Sequence, residues 1–315
     1  MLALLLAGLA HASMPLREGL LTLPSGERVG LLHLPGQLPG GAPVLLVPDL
    51  GLTPLVYLDQ GRGLAATLAA AGREVYILDW SRTDTHGGLE GIVGRILPAA
   101  LRAAGDGGPV DVVGHGYAGS LVIAASTHEA EGLVGRMVAL STPVELAPPS
   151  PVLTGMLEGG GRLADLALTP GGTRTLDLLL MDGGTLSSGL RSRLRRVGVL
   201  NLESRVATDL LTWMRSGELQ LPDAPLVERL RRYDRPTLLL LPLRDNFAHQ
   251  EHAAPLRELA PRARVRSQQL SRLDGLAEDY THVSILQGRH APAEVWPHIL
   301  RHLRGPALQV EEVGP

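Results

Sequence analysis

A glycine-rich turn near the middle of the chain has the pattern that places a catalytic nucleophile. Residues 110–119 read VDVVGHGYAG, an apolar strand that runs into a tight turn and then a helix. This order, with the pattern Gly-x-nucleophile-x-Gly, is the nucleophile elbow, in which a strained turn projects the attacking side chain above a sheet. The nucleophile position is Gly116, and Gly114, Ala118 and Gly119 supply the small residues around it. Glycine has no side chain to attack with, so no acyl-enzyme can form at this position.

The segments around this turn predict an α/β fold with a mostly parallel central sheet and helices on both faces. Short apolar runs alternate with helix-length amphipathic segments, which is typical of such sheets. The predicted strands are residues 29–34, 43–48, 74–80, 110–113, 136–141, 236–243 and 264–270. The predicted helices in the same parts of the chain are residues 58–71, 89–104, 117–130 and 292–303.

The regular alternation stops after residue 142, where the pattern becomes helical and loop-like until about residue 233. We therefore predict that residues 1–142 and 234–315 form two parts of one α/β core. Residues 143–233 are then a helical cap inserted between them. Leucine-rich stretches at 178–180 and 210–214 suit either an acyl-lined pocket or ordinary core packing.

Most of the segment from residue 43 to residue 304 resembles the α/β-hydrolase superfamily, and within it the branch of polyhydroxyalkanoate synthases and lipases. The resemblance implies the α/β-hydrolase fold, with a Cys nucleophile in the synthases and a Ser nucleophile in the lipases. In that group the nucleophile is followed by an Asp after a late strand and by a His before the last helix. The motifs that carry the resemblance are PVLLVPDLGLTPLVYLD, REVYILDWSRTD, VDVVGHGYAGS, STP at 141–143, LLLLPLRDNFAHQEHAAPL and DYTHVSILQGRHAPAEVWPHIL.

Carried over to this chain, the resemblance assigns the catalytic acid to Asp245 and the histidine to His282. The two residues lie 37 positions apart, and the order nucleophile, acid, histidine is the one this fold uses. We expect them to form a hydrogen-bonded pair, either in chemistry or as a buried structural contact, since deleting one partner of such a pair is costly. Gly116 departs from the family pattern. A thiol-dependent synthase is excluded twice, because the chain also has no cysteine.

The oxyanion hole of such sites consists of two backbone N–H groups. By alignment these would belong to Leu50 and Tyr117. The loop reads Pro-Asp-Leu-Gly at 48–51, where many relatives carry His-Gly-x-Gly. A carboxylate at Asp49 would oppose the stabilisation of an oxyanion, depending on which way it points.

Other candidate residues have simpler interpretations. Ser81, Ser120, Ser141 and Ser284 are alternative nucleophiles, but Ser120 should face helix packing. His249 and His252 with Asp245 resemble a metal cluster, although an exposed helix face explains them better, so we expect neither a metal nor a cofactor. His115 should pack under the elbow. The arginines at 191, 193, 195 and 196 could meet an anionic ligand, but they are typical of a solvated helix face.

Composition limits the partners and the location. The net charge of −3 and pI of about 6.4 argue against nucleic acid as a partner. The uncharged run at 1–16 is shorter than the about 20 apolar residues that span a bilayer. We expect a cytoplasmic protein with an over-extended start before Met14. Export is the alternative, if residues 1–12 are a signal peptide ending at Ala-His-Ala.

Three functional hypotheses follow from these residues. The first is a nearly inactive protein of this fold that binds an acyl or apolar ligand, a protein partner or a second copy of itself. The second is an enzyme in which His282, supported by Asp245, acts as a general base on an ester or acyl substrate without a covalent step. The third is a working hydrolase in which Gly116 replaces the native nucleophile.

Overall fold

A computed structural model describes residues 16–38, 40–59, 63–146, 151–166, 169–177, 180, 186–246 and 250–304. Its centre is an eight-stranded sheet in the order β1-β2-β4-β3-β5-β6-β7-β8. The first two pairs of neighbours are antiparallel and the rest are parallel. The strands are β1 Arg17–Thr22, β2 Arg28–Leu34, β3 Val44–Val47, β4 Val75–Asp79, β5 Val110–His115, β6 Val134–Leu140, β7 Thr237–Pro242 and β8 Val265–Leu270.

The helices alternate with these strands along the chain. Short 3-10 turns lie at Pro54–Val56, Trp80–Arg82 and Arg272–Asp274, and π-helical turns at Ile92–Ile96 and Leu194–Gly198. The α-helices are α1 Leu64–Ala70, α2 Gly88–Gly91, α3 Leu97–Gly105, α4 Gly116–Ser126, α5 Pro151–Glu158, α6 Leu163–Leu166, α7 Pro170–Leu176, α8 Ser188–Arg193, α9 Ser204–Ser216, α10 Leu226–Leu230, α11 Gln250–Ala253, α12 Leu256–Leu259, α13 Ser284–Gln287, α14 Ala291–Glu294 and α15 Trp296–Arg304.

Helices cover both faces of the sheet, as the sequence predicted. Every residue of β3, β5 and β7 is buried, which is why these strands read as continuous apolar runs. Alternate residues of β7 belong to different hydrophobic clusters, with Leu239 in one and Leu240 in the other. Because successive side chains of a strand point to opposite faces, the two clusters are the two sides of the sheet.

All seven predicted strands are present, and each of their ends agrees with the prediction to within two residues. The predictions missed β1, a largely exposed edge strand with little apolar patterning. The predicted helix at 58–71 was wrong in its start, because α1 begins only at Leu64. The predicted helix at 117–130 ends early, at Ser126. The last predicted helix is divided into α14 and α15 next to Pro297, which has no amide hydrogen to continue a helix.

The described residues between β6 and β7 form α5 to α10 and no strand of the sheet. This segment attaches to the loop that follows β3. Leu52 and Val199 form an isolated bridge, and the Leu200 amide donates to the Gly51 carbonyl at 2.7 Å. The helical segment therefore lies directly beside Asp49 and Leu50, above the carboxyl ends of β3 and β5.

A buried ion pair lies at the amino end of β5, at the opposite end of the strand from the elbow. The Arg73 guanidinium donates to the Asp111 carboxylate at 2.5 Å, to the Leu303 carbonyl at 3.0 Å and to the Ala42 carbonyl at 2.5 Å. Both charged side chains are less than a tenth exposed. Arg73 thus ties the start of β5, the strand that leads to the elbow, to the end of α15.

Replacing Arg73 with Ala should lower the free energy of unfolding by about 3–5 kcal/mol, because it leaves the Asp111 carboxylate buried without its cation. Urea unfolding followed by circular dichroism measures this change. The matched control is Arg28→Ala, which breaks the exposed pair with Asp84 and should cost less than about 1 kcal/mol. Equal losses in the two variants would contradict this assignment.

Candidate functional site: a carboxylate in the nucleophile position

The elbow has the strained geometry expected of it, but its nucleophile position holds no side chain. Gly116 begins α4 directly after β5 and has a φ of +56°, a region that favours glycine. The turn is also tight: a Cβ on Gly114 would lie 2.7 Å from the Gly119 Cα. The backbone therefore has the conformation predicted for a nucleophile elbow, and Gly116 carries no side chain at its predicted nucleophile position.

The carboxylate of Asp49 occupies the space that a nucleophile's side chain would fill. A Cβ built on Gly116 would overlap this carboxylate, with Oδ1 at 2.5 Å and the other atoms closer still. The two residues meet because β3 and β5 are parallel neighbours and both chains leave the sheet at the same edge. The direction of Asp49, which the sequence left open, is therefore into the elbow. A glycine at 116 and a carboxylate at 49 are complementary in volume, and their joint occurrence is the signal that could have revealed the arrangement.

Backbone amides of the predicted oxyanion hole are already engaged by this carboxylate. The Leu50 amide donates to Asp49 Oδ1 at 2.8 Å. From the elbow, the amide of Ala118, one residue beyond the predicted Tyr117, donates to the same oxygen at 3.3 Å. A negatively charged oxygen of the protein thus lies where these amides would stabilise the oxyanion of a substrate.

His282 lies between two carboxylates. Its Nδ1 is 3.0 Å from Asp245 Oδ2, and its Nε2 is 2.9 Å from Asp49 Oδ2. All three side chains are buried. Two ionised carboxylates can both accept from the ring only when both nitrogens carry hydrogen, so this arrangement favours the imidazolium form. The structure thus brings together Asp245, His282 and the turn at Gly116, and it adds Asp49 to them.

The electrostatics of this cluster support a charged His282. Burial by itself would lower the pKa of the imidazole, but Asp245 and then Asp49 outweigh it and raise that pKa to about 10. His115 lies underneath, with its ring stacked on His282 at a centroid distance of 4.3 Å. Burial and the neighbouring His282 lower the pKa of His115 to about 4. His115 is therefore neutral, and its Nε2 donates to the His282 carbonyl at 2.9 Å.

A cavity with apolar walls opens on the other side of Asp49, under the helices between β6 and β7. The volume open to water-sized molecules inside it is about 40 Å³. Asp49 is the charged residue among the described residues that line it. The remaining lining residues are Leu50, Gly51, Leu52, Tyr117, Leu153, Met156, Leu157, Leu163, Leu176, Leu180, Val199, Leu202, Leu210 and Met214.

Three of the four alternative serines are engaged elsewhere. Ser120 donates to the Pro143 carbonyl, Ser81 donates to Asp79, and Ser284 accepts from the Thr281 amide. Ser141 directly follows β6, has a φ of +50° and is fully buried. None of these contacts is the hydrogen bond to an imidazole that would activate a serine.

The other candidate residues from the sequence either have partners within the protein or lie outside the described residues. Arg195 pairs with Asp177 at 2.8 Å and Arg193 lies 3.8 Å from Asp59, so both bind within the protein. His249 and the side chain of His252 lie outside the described residues. Within the described part of the chain, no three His, Cys, Asp or Glu side chains are arranged so that they could hold a metal ion. None of the helices seen in that part is long and apolar enough to cross a bilayer.

Comparison with solved structures identifies the fold. A bacterial membrane phospholipase A has 18% sequence identity and a TM-score of 0.65, with 96% of this chain and 91% of that chain covered. An esterase from Thermogutta terrifontis has 16% identity and a TM-score of 0.63, covering 91% and 98%. The enol-lactonase from Burkholderia xenovorans LB400 has 15% identity and a TM-score of 0.63, covering 91% and 100%. This chain has the α/β-hydrolase fold. No family model matches the sequence, and no curated protein does.

The raised pKa of His282 predicts how stability changes with pH. The native ring keeps its proton up to about pH 10, whereas an unfolded histidine loses it near its usual value of about 6.5. The stabilisation is therefore complete below the unfolded pKa and is lost as the pH rises through the native pKa. Between about pH 7 and about pH 10, the free energy of unfolding should fall by about 1.4 kcal/mol per pH unit from this group.

Urea unfolding at several pH values, in the wild type and in His282→Gln, checks this prediction. The other titrating groups are common to both proteins, so the difference in slope reports His282. A wild-type slope no steeper than that of the variant would show that the ring is neutral in the native state.

Proposed function

We propose that this protein binds an apolar or acyl ligand in the cavity beside Asp49 and does not carry out the acyl-enzyme chemistry of a serine or cysteine hydrolase. The observation that carries the proposal is the Asp49 carboxylate, which fills the volume of the missing nucleophile at Gly116. In this proposal residues 143–233 act as a cap that supplies most of the cavity wall.

Acyl transfer needs donors aimed at the charge that develops on a substrate carbonyl. Here the amides of Leu50 and Ala118 donate to Asp49. An oxyanion would therefore form beside a fixed negative charge, and the repulsion is large where water is excluded. The site opposes the tetrahedral intermediate as well as lacking the group that would create it.

The general-base hypothesis is less well supported by the same geometry. A base needs a ring nitrogen without hydrogen. In His282 both nitrogens face carboxylates, and the pKa of about 10 keeps the ring protonated at neutral pH. Asp245 and His282 are then better explained as one half of a buried charge network than as an acid–base pair.

The geometry also argues against a disabled but otherwise intact hydrolase. A serine at 116 would overlap the Asp49 carboxylate. An active ancestor with serine there must have had a different residue, or a different conformation, at 49. The glycine therefore fits the native loop of this chain.

The cavity wall indicates the nature of the ligand. Leucine, methionine and valine side chains surround Asp49 and Tyr117, and each methylene of a ligand buried there contributes about 0.8 kcal/mol. The structural neighbours include an esterase, an enol-lactonase and a phospholipase A. An alkyl or acyl chain is thus the ligand most consistent with both the cavity and the fold. The resemblance to polyhydroxyalkanoate synthases and lipases points to the same class.

Restoring a serine should recover esterase activity only when Asp49 is removed as well. We expect the wild type and Gly116→Ser to be inactive on p-nitrophenyl butyrate and unlabelled by a fluorophosphonate. Gly116→Ser combined with Asp49→Gly frees the hole amides and places a hydroxyl beside His282. The esterase rate of this double variant should exceed that of the triple variant, which also carries His282→Ala, by on the order of 100-fold.

Labelling of the wild type, or full activity in Gly116→Ser alone, would contradict the proposal. Far-ultraviolet circular dichroism shows whether each variant is folded. This comparison separates an inactive site from an unfolded protein.

Filling the cavity should abolish ligand binding. Leu157 lines the cavity and is buried, so Leu157→Trp should weaken the binding of the neutral fluorescent probe N-phenyl-1-naphthylamine by more than about tenfold. The control is Leu273→Trp, at a leucine that is 89% exposed, which should leave binding unchanged. Equal affinities in the two variants would place the probe elsewhere and remove the support for a binding cavity.

A further inference from the structure

The cavity beside Asp49 is closed in this structure. The volume open to water-sized molecules inside it is about 40 Å³, which is room for a few waters. An alkyl or acyl chain can enter only after part of the wall has moved. Entry therefore depends on a residue that separates the cavity from solvent and is free to change its conformation.

A second groove lies on the other side of one wall of this cavity. We call it the outer groove, and its lining includes the polar residues Asn201 and Glu203. Asn201 is exposed, so the outer groove is open to solvent. Three residues, Leu50, Gly51 and Leu202, line both the outer groove and the cavity. These three residues therefore form the partition between solvent and the cavity.

Two of the partition residues are held in place by hydrogen bonds of the site. The Leu50 amide donates to Asp49 Oδ1 at 2.8 Å, and the Leu50 side chain is buried. Gly51 has no side chain to move, and its carbonyl accepts from the Leu200 amide at 2.7 Å. A displacement of either residue would break one of these hydrogen bonds.

Leu202 is held by its backbone, whereas its side chain is less restrained. Its amide donates to the Gly161 carbonyl at 2.9 Å, and the residue is half-buried. The end of its side chain lies over Gly51, since a Cβ built on Gly51 would be 3.4 Å from Leu202 Cδ2. Because Gly51 has no side chain, rotation of the Leu202 side chain loses few packing contacts there. The movable part of the partition is therefore this one side chain.

We propose that the side chain of Leu202 is the gate of the cavity. When it rotates away from Gly51, the outer groove and the cavity join, and a ligand enters from solvent. The open conformation is a minor population, on the order of 10% or less. This inference rests on the proposed binding function and assigns the route by which the ligand enters. The gate itself acts on any apolar solute that is small enough for the cavity.

Xenon tests the gate, because it is a single apolar atom and apolar protein cavities bind it. Xenon nuclear magnetic resonance on the full chain measures the rate at which bound xenon exchanges with free xenon. Leu202→Ala removes a gate that is closed most of the time, so it should raise this rate by at least about tenfold. Leu202→Phe places a larger side chain over Gly51 and should lower the rate. Leu157→Trp fills the cavity and should abolish the signal of bound xenon, which locates the xenon.

Leu210→Ala is the matched control. Leu210 lines the cavity and is absent from the described lining of the outer groove. Its truncation enlarges the cavity without opening it, so xenon should bind more tightly and exchange no faster than in the wild type. A Leu202 that served only as part of the wall would give this same result. Far-ultraviolet circular dichroism shows whether each variant is folded.

The outcomes separate the gate from the proposed binding function. Equal exchange rates in Leu202→Ala, Leu202→Phe and the wild type would overturn the gate, as would the absence of bound xenon from the wild type and Leu202→Ala. If xenon responds as expected but N-phenyl-1-naphthylamine binds neither protein, the binding function fails and the gate stands. If the fluorescent probe binds and xenon exchange does not depend on residue 202, the gate is wrong and the binding function holds.

Discussion

The site depends on one buried ionic arrangement, in which the imidazolium of His282 is held between Asp245 and Asp49. Each carboxylate would be costly to bury alone, and the cation offsets that cost only because both ring nitrogens are used. Removing any member leaves an uncompensated charge or polar group in the interior. This physical constraint gives Asp245 and His282 a structural role that does not depend on a nucleophile at position 116.

The same arrangement determines the character of the space above the elbow. Once Asp49 takes the two hole amides, the surface offered to a ligand is an acceptor instead of a pair of donors. Asp49 therefore presents a carboxylate at the place where the predicted oxyanion hole would present amide hydrogens.

The sequence predicted the fold well because its central strands are apolar on both faces and are separated by clear turn signals. β3, β5 and β7 are fully buried and could be found from their composition. β1 could not, since it is an exposed edge strand held by pairing with β2. The start of α1 was missed because its N-cap is Gly63, which has extended backbone and no side chain that would signal a helix start. In the site, Asp245 and His282 were identifiable from their places after β7 and before α13. The direction of Asp49 depends on a contact between two loops, and no local pattern encodes such a contact.

The overlap between position 116 and the Asp49 carboxylate has a consequence for substitutions at these two positions. The two side chains compete for one volume, so the effect of a change at either position depends on the residue at the other. A serine introduced at 116 while Asp49 is present adds a steric clash, whereas a glycine at 49 leaves room for it. The two positions are therefore epistatic, and their single variants do not add up to the double variant.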